Sequence, residues 1–368
     1  MAMAFILGTI GILPSGGSQG QKILQLLSIQ LATPLLLLGV NIRECRERCG
    51  PLLKSFLLAS FGSILASFIA LPLCHPLLHE AMGEDGLKIA AALMAKNIGG
   101  GLNYVAVCRS LDASANAVAA GLCVDNIFAL IYFPITSALA AGRGDVGEND
   151  GADGDNDGDG DGISDGDAVM NVEQEQGKIS TETVSAALTI GAVATWMGES
   201  IGGQSGALPL ATCATILFTI VCPKIASSLS STGEALGTSL LYLFFATAGA
   251  PGLAVADSVK KAFLPIGLFL SLLYGIHGSV LLGARMFMLR KRRNADGDED
   301  SCIESNESSL LPQRLLVASS AAIGGPATAA ALAKANKWNS LVAPSLIVGN
   351  IGYAIATFCG IAFYAFYK

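Results

Sequence analysis

Asp125 stands near the middle of a 25-residue apolar stretch, residues 115–139, with Asn126 beside it. Carrying a carboxylate to the centre of a bilayer costs ~2.5–3.5 kcal/mol on insertion scales, so such a group faces a cavity or a partner and has a task there. Two tasks fit its chemistry: binding Na⁺ or H⁺ as a coupling group, or pairing structurally with a group such as Lys96. Two other apolar segments are interrupted by helix-breaking residues, Ile98-Gly99-Gly100-Gly101 and Ile323-Gly324-Gly325-Pro326. Inside a helix a Gly costs ~1 kcal/mol and a Pro ~3 kcal/mol. In lipid the freed backbone groups have no water, so such breaks survive only within protein or beside a wet cavity. The half-helix after a break offers free N–H groups and a positive dipole end, and the half before it offers carbonyls that suit cations. Asn97, Asn103 and Tyr104 flank the first break and Thr328 the second, with Lys96 and Lys334 close in sequence. The competing reading of the glycines is close helix packing through small residues. The candidate substrate- and ion-binding set is therefore Asn97, Gly99, Gly100, Asn103, Asp125, Asn126, Gly324, Gly325, Thr328 and Asn350.

Such residues need a membrane around them, and the composition supplies one. Of 368 residues, 52% are hydrophobic and 14% charged, and the mean hydropathy is +0.56. A soluble domain carries roughly 25% charged residues. Stretches 55–73, 236–255 and 341–366 are apolar all round, whereas a soluble helix shows a polar face. Each is long enough to cross ~30 Å of hydrocarbon. The pattern predicts an all-α integral membrane fold of about 10–11 segments, at 1–13, 23–42, 55–73, 87–111, 115–139, 183–200, 207–223, 236–255, 262–284, 315–335 and 341–366. The net charge of −7 comes mostly from residues 145–175, and no basic surface points to nucleic acid. The nine cysteines are scattered without a CxxC, which argues against a disulfide framework or zinc site. The start of the chain shows no basic n-region with a cleavage site, so no removable leader is expected.

Two polar insertions separate the apolar blocks. Residues 142–180 are rich in Gly and Asp and are expected to be a disordered linker. Asp157, Asp159, Asp161, Gly162 and Asp165 echo a calcium-loop spacing, but the twelfth position counted from Asp157 is Ala168; a solvated linker is preferred to a calcium site. The second insertion, 285–314, opens on Arg290, Lys291, Arg292 and Arg293 and holds the sequon Asn306-Glu307-Ser308. Among lesser candidates, Glu199 is placed at a span end, His75 and His79 share a face beside Glu80, and His277 is read as a packed or interfacial histidine.

The two breaks belong to similar stretches. Ile98-Gly99-Gly100 matches Ile323-Gly324-Gly325, Val124-Asp125-Asn126-Ile127 matches Val348-Gly349-Asn350-Ile351, and LATPLLLLG from Leu31 resembles LGTSLLYLF from Leu236. The order is the same in both, which predicts two structural repeats, residues 1–141 and 181–368, joined by the linker 142–180. If every segment crosses, Lys and Arg outside the spans or within three residues of a span end divide 9 against 12 between the faces. If 87–111 and 315–335 instead dip in and return, the division is 15 against 6. The second arrangement agrees better with positive charge gathering on the cytoplasmic or equivalent face. It places five crossings between matching helices, which makes the repeats inverted, with discontinuous helices at the midplane. Paired broken helices are the main sequence pointer to a secondary-transporter site.

MAKNIGGGLNYVAV, YLFFATAGA and IGGPATAAALAKANKWNSLVAPSLIVGNIGYAIATF resemble the domain of unknown function family 819, multispanning proteins of bacteria, plants and algae. The resemblance runs over nearly all the spans. It implies kinship with the cation/proton antiporter and anion transporter superfamily, hence inverted repeats, broken helices crossing at the midplane and an elevator-like movement. It also implies a further helix upstream of the first span, and a plasma or plastid membrane as the location. The leading expectation is a secondary active transporter of a small organic or anionic solute coupled to Na⁺ or H⁺. The alternatives are an uncoupled channel or uniporter, and a membrane scaffold without transport activity. No HExxH or paired intramembrane aspartates occur, so no enzyme is expected. The expected partners are the bilayer, the solute or ion, and further copies of the chain in a homo-oligomer; the expected cofactor is none beyond Na⁺ as a coupling ion.

Overall fold

The computed structural model describes residues 19–40, 49–141, 179–249, 256–295 and 311–368, with Leu7 and Ile10 near the start. The short first span, the acidic linker with its calcium-like spacing and the sequon at Asn306 lie outside the described residues. The described residues form twelve helices and no strand: α1 Gln19–Leu37, α2 Gly50–Met82, α3 Asp85–Gly99, α4 Gly101–Ser110, α5 Ala115–Ala140, α6 Thr181–Gly203, α7 Gly206–Val221, α8 Pro223–Gly249, α9 Ala256–Ala295, α10 Leu311–Gly324, α11 Pro326–Ala335 and α12 Asn339–Tyr367. Five of them are long and apolar enough to cross a membrane unaided: α2, α5, α6, α9 over Ala256–Met288, and α12. The remaining helices are shorter or carry more polar residues. At ~1.5 Å per residue, α3, α4, α10 and α11 fall well short of a ~30 Å core.

The order of elements follows local chemistry. α6 and α7 meet at Gly203, whose φ of 59° turns the chain. A Cβ on Gly198 would lie 2.9 Å from the Ala211 nitrogen, so the two helices run back along each other. Only Cys222 separates α7 from α8. The sequence reading counts 223–234 as a loop between spans; the chain is helical there. Pro223 opens α8 where its missing N–H costs nothing, and Gly233 and Gly237 bring α8 against α1, with a Cβ at Gly233 only 2.5 Å from the Leu35 carbonyl oxygen. α9 likewise runs through Arg290–Arg293 to Ala295.

The largest core joins α1 to α5 with α9 and α12, through Leu71, Leu93, Tyr104, Val124, Phe269 and Phe363 among others. α12 runs down the centre. Its buried Gly349, Gly352, Ala356 and Gly360 form a small-residue stripe of the kind that lets membrane helices approach closely.

Candidate functional site: two breaks and a buried ion pair

The two breaks have the same backbone geometry. Gly100 ends α3 with φ 82°, ψ −176°, and Gly325 stands between α10 and α11 with φ 86°, ψ −176°. That region is open essentially to Gly alone. Gly100 N donates to the Lys96 carbonyl at 2.7 Å and Gly325 N to the Ala321 carbonyl at 3.0 Å. Further along, Asp112 (φ 52°) and Lys337 (φ 58°) are the two non-glycine residues with positive φ among the described residues. Ala113 N bonds Cys108 O and Trp338 N bonds Ala333 O, both at 2.9 Å. Each pair is separated by 225 positions (325 − 100, 337 − 112, 338 − 113).

Each break is the tip of a hairpin. At the base of the first, Ser114 N donates to Asp85 Oδ2 at 3.3 Å, Lys88 Nζ donates to the Asp112 carbonyl at 3.0 Å, and Lys88 Nζ lies 3.0 Å from Asp85 Oδ1. The chain thus enters at Asp85 and returns to the same level at Ser114. Burial opposes the charge on Asp85, but hydrogen bonds from Ser114 and Lys88 outweigh it and hold the carboxyl below its ordinary range. For Lys88 burial again opposes the charge, and the Asp85 carboxylate outweighs it, raising the ammonium above its ordinary value. In the second hairpin Thr328 Oγ1 donates across the limbs to the Ser320 carbonyl at 3.1 Å and to Gly325 O at 2.9 Å.

The tips touch. A Cβ on Gly100 would stand 3.2 Å from the Cα of Gly325. α12 backs both: a Cβ on Gly352 would be 2.8 Å from the Ile98 carbonyl, and one on Gly349 would be 2.5 Å from Pro326 Cα. Asn103 Nδ2 donates to Gly99 O at 2.9 Å, and Thr357 Oγ1 of α12 donates to Asn103 Oδ1 at 2.7 Å. Asn103 and Thr328 sit three residues past their break glycines and satisfy carbonyls that the breaks expose. Three rings close around the tips: a Cβ would meet Phe245 at 3.0 Å from Gly101, Phe133 at 2.9 Å from Gly324, and the Tyr353 hydroxyl at 3.1 Å from Gly325.

Lys96 and Asp125 form an ion pair, Nζ to Oδ1 3.0 Å. They are the only buried Asp, Glu, Lys or Arg among the described residues, at 7% and 3% exposure. Lys96 lies in the last turn of α3, where a cation also suits the helix end. Asp125 Oδ1 has no well-aligned hydrogen bond. Asn97 Nδ2 donates to the Leu93 carbonyl at 2.7 Å, while its Oδ1 is buried without a donor.

Asn126 is exposed on α5, and Asn350 Nδ2 donates to the Gly39 carbonyl beyond the end of α1 at 3.2 Å. Glu199 accepts a hydrogen bond from Gln30 Nε2. His277, read from sequence as packed or interfacial, is buried in a hydrogen-bonded chain: Ser63 Oγ to Nδ1 3.0 Å, Nε2 to Ser319 Oγ 2.8 Å, and Ser319 Oγ to the Tyr132 hydroxyl 2.7 Å. A polar residue inside an apolar span is the signal that marks His277; its serine partners come from other helices and carry no mark of their own.

The family described as "Protein of unknown function (DUF819)" matches residues 1–292 and 311–368. The chain belongs to this family. A curated relative, the "Uncharacterized membrane protein YjcL" of Bacillus subtilis (strain 168), is 26% identical over 374 residues, covering 98% of this chain and 86% of the relative. No solved structure matches. With five helices able to span unaided and a membrane protein as relative, this DUF819 member is a multi-pass integral membrane protein.

Proposed function

We propose that the protein is a secondary active transporter that moves a small organic anion together with a cation, H⁺ or Na⁺. The observation that carries this reading is the single buried ion pair, Lys96–Asp125, on the first broken helix and its neighbour. An unpaired charge buried in protein costs several kcal/mol, which ties the two partners to one another. An anion can take Lys96 only if Asp125 is neutralised at the same time by a cation. The empty site is neutral through the ion pair; the loaded site is neutral through Lys96 with the anion and Asp125 with the cation. The half-loaded forms are the costly ones, and avoiding them is what coupling requires.

The hairpins supply the frame. We read them as re-entrant, with α1–α5 and α8–α12 as inverted repeats whose tips meet near the midplane. The constant 225-residue offset of Gly100/Gly325 and Asp112/Lys337 supports the repeat, and the closed base at Asp85–Ser114 supports re-entry. The test is transport by proteoliposomes with labelled carboxylates. Asp125→Asn mimics the neutralised carboxyl: it should still exchange solute across the membrane but fail to accumulate it on an ion gradient. Gradient-driven accumulation by Asp125→Asn at the wild-type level would end the coupled reading.

A further inference from the structure

We infer that the solute carries one negative charge on an apolar, ring-sized body, and that a hydroxyl beside the carboxylate strengthens its binding. The inference rests on the coupled-carrier reading and specifies its cargo. The charge count comes first. Lys96 is the one buried cation among the described residues, and Asp125 is the one charge released when Lys96 turns to a ligand. The second half offers no further pair: the positions matching Lys96 and Asp125 are Ala321 and Gly349. A dianion would bring a second charge with no buried counterpart, at the cost of an unpaired ion in a dry site.

The apolar body follows from the surroundings of the tips. Phe245 stands against Gly101, Phe133 against Gly324 and Tyr353 against Gly325, each 2.9–3.1 Å from where a Cβ would be. Rings placed around the meeting point of two backbones give an organic solute faces to pack on. The hydroxyl follows from Asn97. Its amide nitrogen is committed to Leu93 O, which fixes Oδ1 as an acceptor, fully buried, one residue from Lys96 and without a donor. A buried acceptor left unpaired is destabilising, so a ligand donor there gains what the empty site lacks.

The experiment is a ligand-induced thermal shift on the purified full chain in detergent at fixed pH and ionic strength. The probes are acetate, benzoate, mandelate, succinate, inorganic phosphate and NaCl. Mandelate and benzoate are expected to raise Tm, by about 5 °C at a 100-fold excess over Kd, with mandelate binding more tightly than benzoate and acetate weaker than both. Succinate and phosphate are expected to give no more than NaCl. Lys96→Gln should abolish the shifts and Lys96→Arg, which keeps the charge, should retain part of them. Asn97→Ala should bring mandelate down to benzoate. Succinate stabilising as strongly as benzoate, in a Lys96-dependent way, overturns the monoanion inference and leaves the coupled carrier standing. Equal mandelate and benzoate affinity in the wild type overturns the hydroxyl. Shifts that survive in Lys96→Gln, or no response to any anion, overturn the inference and the coupled-carrier reading together.

Discussion

At the scale of single residues, the ion pair makes the sharpest statement about energy. Removing one partner of a buried pair typically costs about 3–5 kcal/mol, because the other charge remains buried alone. Lys96→Gln should therefore unfold at lower temperature or denaturant than wild type, and adding Asp125→Asn to it should restore much of the loss. A thermodynamic cycle over the two singles and the double measures this; additive losses would mean that the pair does not interact as its 3.0 Å separation implies. Asp125 was legible in the sequence because a carboxylate inside 25 apolar residues is rare. That its partner is Lys96 was one of two open readings, because Lys96 sits beside a glycine break and pairing depends on how α3 leans on α5. Asn126 and Asn350 were drawn in by sequence adjacency and repeat matching, and neither criterion carries the direction in which a helical side chain points.

Elements answer to different measurements. Gly100 and Gly325 hold a backbone conformation that costs other residues about 1–3 kcal/mol, and a side chain there would press the tips apart. Gly100→Ala and Gly325→Ala should each lower stability by roughly that amount, read from thermal unfolding; wild-type stability in both would contradict the closeness of the tips. The base of the first hairpin responds to pH. Asp85 has a lowered folded-state value, so its contribution is fully present above the unfolded-state value of about 3.9 and is lost as pH falls through the folded value. Lys88 has a raised folded-state value, so its contribution is present below about 10.4 and is lost as pH rises through the folded value. The protection of the Ser114 amide, its exchange measured against the intrinsic rate at each pH, should therefore fall below about pH 4 relative to pH 6, and Asp85→Asn should remove that acid step; an unchanged step would assign it to another group. On the re-entrant reading proposed above, cysteines at positions 85 and 114 should react with impermeant reagents from one face only, the same for both. The glycine runs announced both breaks in the sequence. The extent of α8 and α9 was hidden, because the stretches between apolar spans read as loops; for α8, packing against Leu35 on α1 supplies a reason to be helical.

Across the whole molecule, hydropathy made the membrane class plain, and the membrane-protein relative agrees with it. Ten or eleven segments were expected, one of them (1–13) outside the described residues, whereas among the described residues five helices meet the requirement for spanning unaided. The difference lies in α3/α4 and α10/α11, whose halves are too short to cross, and in α1, α7 and α8, which are short or polar and lean on neighbours. Periodicity alone does not register such dependence, since it counts apolar residues and not the partners that cover the polar ones. Anion and cation binding as a unit through Lys96 and Asp125 is tested by the thermal shift given by benzoate, recorded against pH and against Na⁺ with K⁺ as control, in wild type and Asp125→Asn. In wild type the benzoate shift is expected to grow as pH falls or as Na⁺ rises. Without benzoate the same cation should have little effect, and in Asp125→Asn the benzoate shift should be independent of both. Benzoate and cation effects that simply add in wild type, or that persist unchanged in Asp125→Asn, would contradict binding as a unit.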